Sequence, residues 1–189
     1  MTKSKTYYHI RALCEGAIFV AIAELLGYLK LFHMPQGGSI SLMMLPIVLY
    51  AFRWGLGKGL LAGFVLGILD FMLGGGIAIG WQSIVGDYLI ALTALGLAGV
   101  FHGKKWGLAP AVILGCLGRW VTLWITGAVL WGVYMPDVFL GLPMTNVWIY
   151  SVLYNIPIAL SGVITLVVAL VLNAIPGVRK YLTGADLHR

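Results

Sequence analysis

The scarcity of charge along this chain limits what it can fold into more than any other feature. Charged residues make up only 10% of its 189 residues, whereas hydrophobic residues make up 61%. A soluble domain needs about a quarter of its residues charged to cover its surface. This chain therefore cannot be hydrated on all sides, and a lipid bilayer is the solvent that suits it. Its 26 glycines agree, because glycine is commoner in membrane helices than in soluble ones.

The apolar residues form six runs that we predict as transmembrane helices. A hydrocarbon core about 30 Å thick needs roughly 20 apolar residues per helix. On this basis the spans are residues 12–29, 40–52, 59–73, 82–101, 110–131 and 147–174, of which the second and third are short. We predict an all-α integral membrane protein in which residues 1–189 form a single six-helix domain with no soluble domain.

The positive charges predict the orientation of these helices. With the amino terminus inside, ten of the twelve lysines and arginines fall in inner segments, whereas Lys30 falls outside and Arg119 lies within the fifth helix. Such an excess is typical of cytoplasmic loops. We therefore predict that both termini are cytoplasmic. The same topology accounts for the net charge of +6, so we expect no nucleic-acid partner.

Ionisable side chains within the predicted spans are costly, and each marks a candidate functional position. Four of them stand out, namely Glu24, Asp70, Asp87 and Arg119. Simpler roles stay open for the carboxylates. Glu24 fits a hydrogen bond between packed helices, and Asp70 fits the membrane interface. Asp87 fits a structural role as the partner that neutralises Arg119.

Polar and aromatic residues gather in the outer half of the predicted bundle, on its last three helices. They are Asp87, Tyr88, Arg119, Trp131, Tyr150 and Asn155. A few polar groups within an apolar cavity are typical of small-molecule sites, and a carboxylate beside aromatic rings favours a cation. A flat organic cation is therefore the expected ligand. For Trp131, anchoring at the membrane interface is an equal alternative.

Enzyme chemistry and bound cofactors find no support in the sequence. No nucleophile elbow, phosphate-binding loop or Ser-His-Asp set is present, and the histidines and cysteines are too scattered for a metal site. We expect neither catalysis nor a cofactor.

Small residues on the first helix suggest a close contact. Ala17 and Ala21 are spaced four apart, which lets two membrane helices approach closely. Packing within the same bundle and docking to a partner membrane protein are both open.

Several segments, taken together, resemble a known family. They are residues 34–39, 43–47, 52–55, 87–88 with 96–99, 118–120 with 125–129, and 147–151 with 154–155. In this order they resemble the thiamin-specific substrate-binding subunits of energy-coupling factor transporters. The resemblance implies a six-helix protein of the bacterial cell membrane that captures a vitamin from outside. It also implies partners, namely a transmembrane coupling subunit and two cytoplasmic ATPase subunits.

The resemblance also implies roles for individual residues. Asp87 matches the acidic ligand of the family and Tyr88 its neighbour, while Trp131 matches the ring-stacking tryptophan. Arg119 matches a basic residue on the family's fifth helix, and Tyr150 and Asn155 match a pair of residues on its sixth helix. By the same resemblance, the loop before the second helix is expected to act as a lid, formed by Pro35, Gln36, Gly37 and Gly38. Ala17 and Ala21 on the first helix are expected to contact the partner membrane protein.

This chain departs from the family pattern near the expected site. Leu123 stands where a histidine is common, and Trp120 stands where tyrosine is usual. The run 74–76 is all glycine, where polar residues are often found. The expected ligand is therefore thiamin, its pyrimidine precursor or a related heterocycle.

The leading hypothesis is a vitamin-capturing subunit of an ATP-driven importer. An autonomous carrier coupled to protons, with Asp87 or Asp70 as the proton site, is the alternative from a different class. Its weakness is that the sequence shows no internal repeat of the kind common in such carriers.

Overall fold

The computed structural model describes residues 5–30, 32–33, 39–74, 76–104 and 106–186, without the side chains of Lys5 and His33. The helices are α1 Lys5–Tyr28, α2 Met44–Trp54, α3 Leu56–Leu73, α4 Trp81–Phe101, α5 Leu108–Val129, α6 Val147–Tyr154, α7 Ile156–Ala174 and α8 Pro176–Leu182. A 3-10 turn, Trp131–Tyr134, follows α5. Two antiparallel hairpins join β1 Phe32–His33 to β2 Ser39–Ile40 and β3 Val138–Phe139 to β4 Leu142–Pro143.

The described chain is mostly helical, as predicted. Four helical stretches within it are long and apolar enough to cross a membrane, and they are α3, α4, α5 and the joined α6–α7. The six-span count and the cytoplasmic position of both termini stay predictions. The two small hairpins depart from the predicted all-α fold. In the second hairpin, Leu140 and Gly141 both have positive φ, at 53° and 78°, which suits a tight two-residue turn.

Helix α2 lies at the centre of the bundle. All eleven of its residues are buried, Arg53 included, so protein surrounds this helix on every side. The predicted run began at residue 40, but the helix begins at Met44 because Ser39 and Ile40 pair with β1.

Glycines allow α3 and α4 to touch along their backbones. Gly63 is so close to α4 that an added Cβ would lie 2.4 Å from the carbonyl oxygen of Leu92. On the opposite helix, a Cβ on Gly96 would lie 2.3 Å from the backbone nitrogen of Leu60. Small residues at such crossings let membrane helices pack tightly. These close contacts hold α4 in a fixed position against α3.

Helix α4 is not a uniform α-helix. Its residues Ile84–Ile90 form a π-helical segment, and Ala94–Phe101 form a 3-10 segment. Runs of 3-10 helix longer than four residues are uncommon. The glycines of α4 that meet α3, Gly96 and Gly99, lie within the 3-10 segment.

The last predicted span is broken in two. The sequence predicted one helix over 147–174, but α6 ends at Tyr154 and α7 begins at Ile156. Pro157 lies in the first turn of α7, where its missing N–H removes a hydrogen bond to the preceding turn and its ring prevents a straight helix. Asn155 lies at the break.

A network of charged side chains connects the helices at the end of the bundle where α1 begins and α8 ends. We call this end the inner end. Arg53 is fully buried there, and its Nε donates to Glu15 Oε2 at 2.7 Å while Nη1 donates to Asp186 Oδ1 at 2.8 Å. The Tyr181 ring lies 3.7 Å from the guanidinium, and its hydroxyl donates to Glu15 at 2.8 Å. Hydrogen bonding from Arg53 lowers the pKa of Asp186 to about 2. Burial raises the pKa of Tyr181.

Candidate functional site

A cavity of about 160 Å³ opens at the opposite, outer end of the bundle. It lies among α3, α4, α5 and the α6–α7 break. All six residues predicted for ligand binding line it, namely Asp87, Tyr88, Arg119, Trp131, Tyr150 and Asn155. The fold thus brings them together, while their contact with a ligand stays a prediction.

Asp87 is held by two hydrogen bonds, one from α5 and one from the 3-10 turn that follows it. The indole N–H of Trp131 donates to its Oδ2 at 2.7 Å, and the hydroxyl of Thr126 donates to its Oδ1. An ionised carboxylate offers about four acceptor positions, so two donors orient it and leave others for a ligand. Within the described residues, no ion pair of 4.0 Å or less joins Asp87 to Arg119. This geometry does not support the alternative in which Asp87 neutralises Arg119.

The winding of α4 brings two neighbouring residues into the cavity. Asp87 and Tyr88 lie in the π-helical segment, a rare form that is frequent at functional sites. Just before them, Gly86 packs so closely on α5 that an added Cβ would lie 2.5 Å from Thr126 Cγ2. The wide turn and the close crossing together place the Asp87 carboxylate beside its two donors.

Tyr88 is fixed by the loop that follows α3. Its hydroxyl accepts from the backbone N–H of Ile77 at 2.9 Å and lies 3.2 Å from the carbonyl of the same residue. The ring meets Phe71 edge-on, with centroids 5.2 Å apart. Tyr88 therefore forms a rigid wall of the cavity that also anchors the loop.

Arg119 lines the cavity and has no strong hydrogen-bond acceptor among the described residues. Its Nε has no hydrogen-bond partner in the described part of the chain, and Nη1 lies 3.9 Å from the Met43 sulfur, a weak acceptor. Asp70 lines the same cavity from α3 and attracts Arg119 electrostatically. Buried donors left unpaired are costly, so acceptor groups on a bound molecule would lower the energy of this side chain.

Aromatic rings form the wall on α6. Tyr150 and Tyr154 both line the cavity, one turn apart, with centroids separated by 5.7 Å. Phe139 packs edge-on against Tyr150 at 5.2 Å. Because Phe139 belongs to β3, the second hairpin covers this wall.

Asn155 is fixed at the break between α6 and α7. Its amide nitrogen donates to the carbonyl of Ser151 at 2.8 Å. The Ser151 hydroxyl in turn donates to the carbonyl of Trp124 at 2.7 Å. These bonds tie α6 to α5 and set the orientation of Asn155 in the cavity wall.

Sequence reasoning did not assign several residues of this site. Thr126 follows Arg119 by two helical turns and shares its face, and Ser151 precedes Asn155 by one turn, so helical spacing gave a signal for both. Asp70 was assigned to the interface or to proton transfer. Lys30 was treated only as an outer-loop charge, and nothing in its pattern pointed to the cavity. The residues that line or support the cavity but were not predicted as part of the binding site include Lys30, Asp70, Thr126 and Ser151.

The other predicted functional positions lie away from the cavity. Ala17 and Ala21 are exposed on α1, so they do not pack within the bundle. Glu24 is buried in α1 and does not line the cavity. The predicted lid residues lie outside the described part of the chain, and they are Pro35, Gln36, Gly37 and Gly38.

Comparison with known proteins assigns the family. The model of the family described as "Thiamine transporter protein (Thia_YuaJ)" matches residues 13–181. The chain belongs to this family. The resemblance identified in the sequence is thereby confirmed, and the family is one of transporters rather than enzymes.

Two curated relatives of the thiamine transporter family support the assignment. The chain is 37% identical over 158 residues to "Thiamine transporter ThiT" of Bacillus subtilis, covering 76% of this chain and 79% of that protein. It is 36% identical over 179 residues to "Thiamine transporter ThiT" of Lacticaseibacillus paracasei, covering 85% of each. With four helical stretches able to cross a membrane, this member of the family is a multi-pass protein of the bacterial cell membrane.

A solved structure shows the same fold. The structure titled "Native-SAD phasing for ThiT from Listeria monocytogenes serovar" superposes with a TM-score of 0.77 at 22% identity. The match covers 90% of this chain and 98% of that chain. The helical arrangement of this chain is therefore the same as that of the solved structure, despite the low sequence identity.

Proposed function

We propose that this chain is the substrate-capturing subunit of an ATP-driven importer and binds thiamin from the outer face of the membrane. The observation that carries the proposal is the oriented carboxylate of Asp87 inside an aromatic-lined cavity, in a chain whose relatives are named thiamine transporters.

The chemistry of the cavity matches the two rings of thiamin. Its thiazolium ring is a cation, which a carboxylate and aromatic faces stabilise. Its aminopyrimidine ring is flat and carries both donors and acceptors. Asn155 and Arg119 supply amide and guanidinium groups in the same cavity. The Asp87 carboxylate and the aromatic faces support thiamin over an uncharged ring system, while Asn155 and Arg119 can hydrogen-bond its pyrimidine ring.

Energy for transport would come from partner subunits. The sequence contains no phosphate-binding loop, which supports the assignment of ATP hydrolysis to partner subunits. Ala17 and Ala21 are exposed on α1, between larger exposed residues such as Leu13 and Leu25. Small residues on an exposed helix face suit close docking of another membrane helix. This face supports association with a transmembrane coupling subunit that carries two cytoplasmic ATPase subunits.

Intrinsic tryptophan fluorescence of the purified protein tests the proposal. Thiamin is titrated first, followed by its isolated pyrimidine moiety, because Trp131 lines the cavity and reports on occupancy. We expect saturable quenching by thiamin. Asp87→Asn should weaken the affinity by about tenfold or more, which corresponds to about 1.4 kcal/mol.

Asp137→Asn is the matched control. Asp137 is exposed in the outer loop and does not line the cavity, so its loss should leave the affinity unchanged. An equal affinity for thiamin in wild type and Asp87→Asn would remove Asp87 from the site. Quenching by the pyrimidine moiety but not by thiamin would replace thiamin with its precursor as the substrate.

A further inference from the structure

A second cleft lies at the inner end of the bundle, far from the cavity. It is open to the surface and is lined by residues of α1, α2, α3, the loop after α4 and the turn after α8. Its polar and aromatic lining residues include Tyr8, Trp54, Lys58, His102 and Thr183. None of the proposed steps of thiamin capture uses this cleft.

Lys58 is the charged residue of the cleft, and no carboxylate of the described residues pairs with it. Its ammonium lies over the Trp54 ring, 4.3 Å from the centroid. In the described part of the chain, the ion pairs of 4.0 Å or less all involve Arg11 or Arg53. Those two arginines engage Glu15 and Asp186. Among the described residues, the positive charge of Lys58 therefore has no carboxylate within 4.0 Å and is available to an anion.

The walls of the cleft are rigid. Trp54 is buried, and its indole N–H donates to Glu15 at 2.7 Å. The Nδ1 of His102 lies 3.0 Å from the carbonyl oxygen of Phe52, so this nitrogen carries the proton and donates. The His102 ring also covers Gly55, where a Cβ would meet it at 3.6 Å. The residues around Lys58 are thus held in place before any anion binds.

The position of Lys58 indicates that the anion belongs to a lipid. Lys58 lies in the first turn of α3, and Leu61 and Val65 follow it on the same helical face. These two residues are 54% and 39% exposed. One surface of α3 therefore passes from a cation at the predicted membrane boundary directly to apolar side chains that face the lipid. A soluble anion would contact only Lys58 and not the apolar side chains that follow it.

We propose that the inner cleft binds the phosphate of an anionic phospholipid of the inner leaflet, with Lys58 as the charged contact and the apolar face of α3 beside the acyl chains. Basic pockets between helices on the cytoplasmic side of membrane proteins bind such headgroups. The predicted topology puts the cleft on that side, because the cations are concentrated there.

Thermal unfolding of delipidated protein in a non-ionic detergent tests the proposal. Phosphatidylglycerol and phosphatidylcholine with identical acyl chains are titrated separately, and inorganic phosphate is titrated in a third arm. We expect phosphatidylglycerol to stabilise the wild-type protein at lower concentration than phosphatidylcholine, and inorganic phosphate to have no comparable effect. Stabilisation by inorganic phosphate equal to that by phosphatidylglycerol would overturn the assignment to a lipid.

Lys58→Met removes the charge but keeps an apolar stem over Trp54. This variant should bind phosphatidylglycerol about fivefold more weakly, the contribution of one lysine near an anionic membrane surface. Lys180→Gln is the control, because Lys180 is exposed on α8 and does not line the cleft. An equal loss in both variants would mean diffuse attraction and would overturn the site.

Native mass spectrometry of the wild-type protein keeps the proposal testable if Lys58→Met does not fold. Retention of phosphatidylglycerol in preference to phosphatidylcholine is expected from an equimolar mixture. Equal retention of the two lipids contradicts the proposal, as does the absence of any retained lipid. Unchanged phosphatidylglycerol affinity in a folded Lys58→Met variant contradicts it as well.

Discussion

At the scale of single residues, the cavity depends on how side chains orient one another. Asp87 receives hydrogen bonds from Trp131 and Thr126, so its direction is set before any ligand arrives. Preorganised groups reduce the entropy lost on binding. Arg119 is less constrained, because its Nε has no partner among the described residues. The site thus combines an oriented carboxylate, Asp87, with a guanidinium, Arg119, that has no strong acceptor among the described residues.

Trp131→Phe tests the role of the indole N–H. The ring remains large and aromatic, but Asp87 loses the donor at 2.7 Å. A hydrogen bond to a charged group contributes about 1.5–3 kcal/mol, so we expect thiamin affinity to fall by about tenfold or more. The measurement is competition with radiolabelled thiamin, because the fluorescence reporter is altered.

Trp106→Phe is the control for this prediction. Trp106 is 73% exposed and does not line the cavity. If both variants bind like wild type, the bond from Trp131 to Asp87 does not contribute to affinity.

At the scale of elements, the outer cavity exists because helices approach closely at glycines. Gly127 on α5 faces α6, where an added Cβ would lie 2.4 Å from Ser151 Oγ and 3.4 Å from Asn155 Nδ2. The small residue therefore keeps the α5–α6 distance that positions Asn155. The same principle holds α4 against α3 through Gly63 and Gly96.

Gly127→Ala should separate α5 from α6 and disturb Asn155. Overpacking of a tight contact typically costs about 1–3 kcal/mol, so we expect a lower melting temperature together with weaker thiamin binding. Both quantities are measured on the detergent-purified protein.

Gly57→Ala is a matched substitution within α3. An added Cβ at Gly57 would have no atom within 4 Å, and alanine favours helix by about 1 kcal/mol relative to glycine. We expect unchanged or slightly raised stability. A Gly127→Ala protein as stable and as tight-binding as Gly57→Ala would show that the α5–α6 contact is not limiting.

Helical spacing and charge predicted most of this arrangement, and the exceptions have physical causes. The six predicted runs all overlap helices, and the six predicted binding residues line one cavity. The sequence did not predict the break at Asn155, because the apolar run continues through it and only Pro157 interrupts the backbone bonding. It also did not predict the π-helical turn, because Gly86 reveals a close contact only when α5 is in place. The partners of Asp87 depend on this three-dimensional crossing and not on spacing along α4.

At the scale of the whole molecule, the chain ends are held together at the inner end. Arg53 on α2 joins Glu15 of α1 to Asp186 beyond α8. A buried arginine that loses a partner is destabilising. The network therefore fixes the carboxyl-terminal segment beneath the first two helices, close to the exposed face of α1 that carries Ala17.

Asp186→Asn should lower the melting temperature by roughly 3 °C, taking about 1 kcal/mol for a partly exposed ion pair. The pKa of Asp186 is lowered in the folded protein from 3.8 to about 2. Its stabilising contribution is therefore complete above the unfolded value and is lost only as the pH falls through about 2. We expect the same difference in melting temperature between wild type and variant at pH 5 and at pH 8.

Asp137→Asn serves as the control at both pH values, because Asp137 is exposed and outside the network. A difference between Asp186→Asn and wild type that grows or disappears between pH 5 and pH 8 would contradict the assigned ionisation.

The outward face of α1 gives a prediction for assembly. Ala17→Leu adds bulk to a face that is exposed in the isolated chain, so thiamin affinity should be unchanged. Association with the coupling subunit should weaken, because larger side chains prevent close approach of helices. Co-purification of the tagged importer complex measures this.

Val167→Leu is the comparison for assembly, because Val167 is 55% exposed on α7. Equal recovery of the complex with Ala17→Leu and with Val167→Leu would exclude α1 as the docking face.

The two unusual segments of α4 wind in opposite senses. A π-helical turn is underwound relative to an α-helix, and a 3-10 turn is overwound. Ile84–Ile90 are underwound and Ala94–Phe101 are overwound, with Ala91–Thr93 between them. Their departures in twist therefore oppose each other along one helix. The π-helical half of α4 can therefore be rotated so that Asp87 faces its hydrogen-bond donors, while the 3-10 half keeps its glycines against α3. The change of twist in one half is offset by the opposite change in the other half.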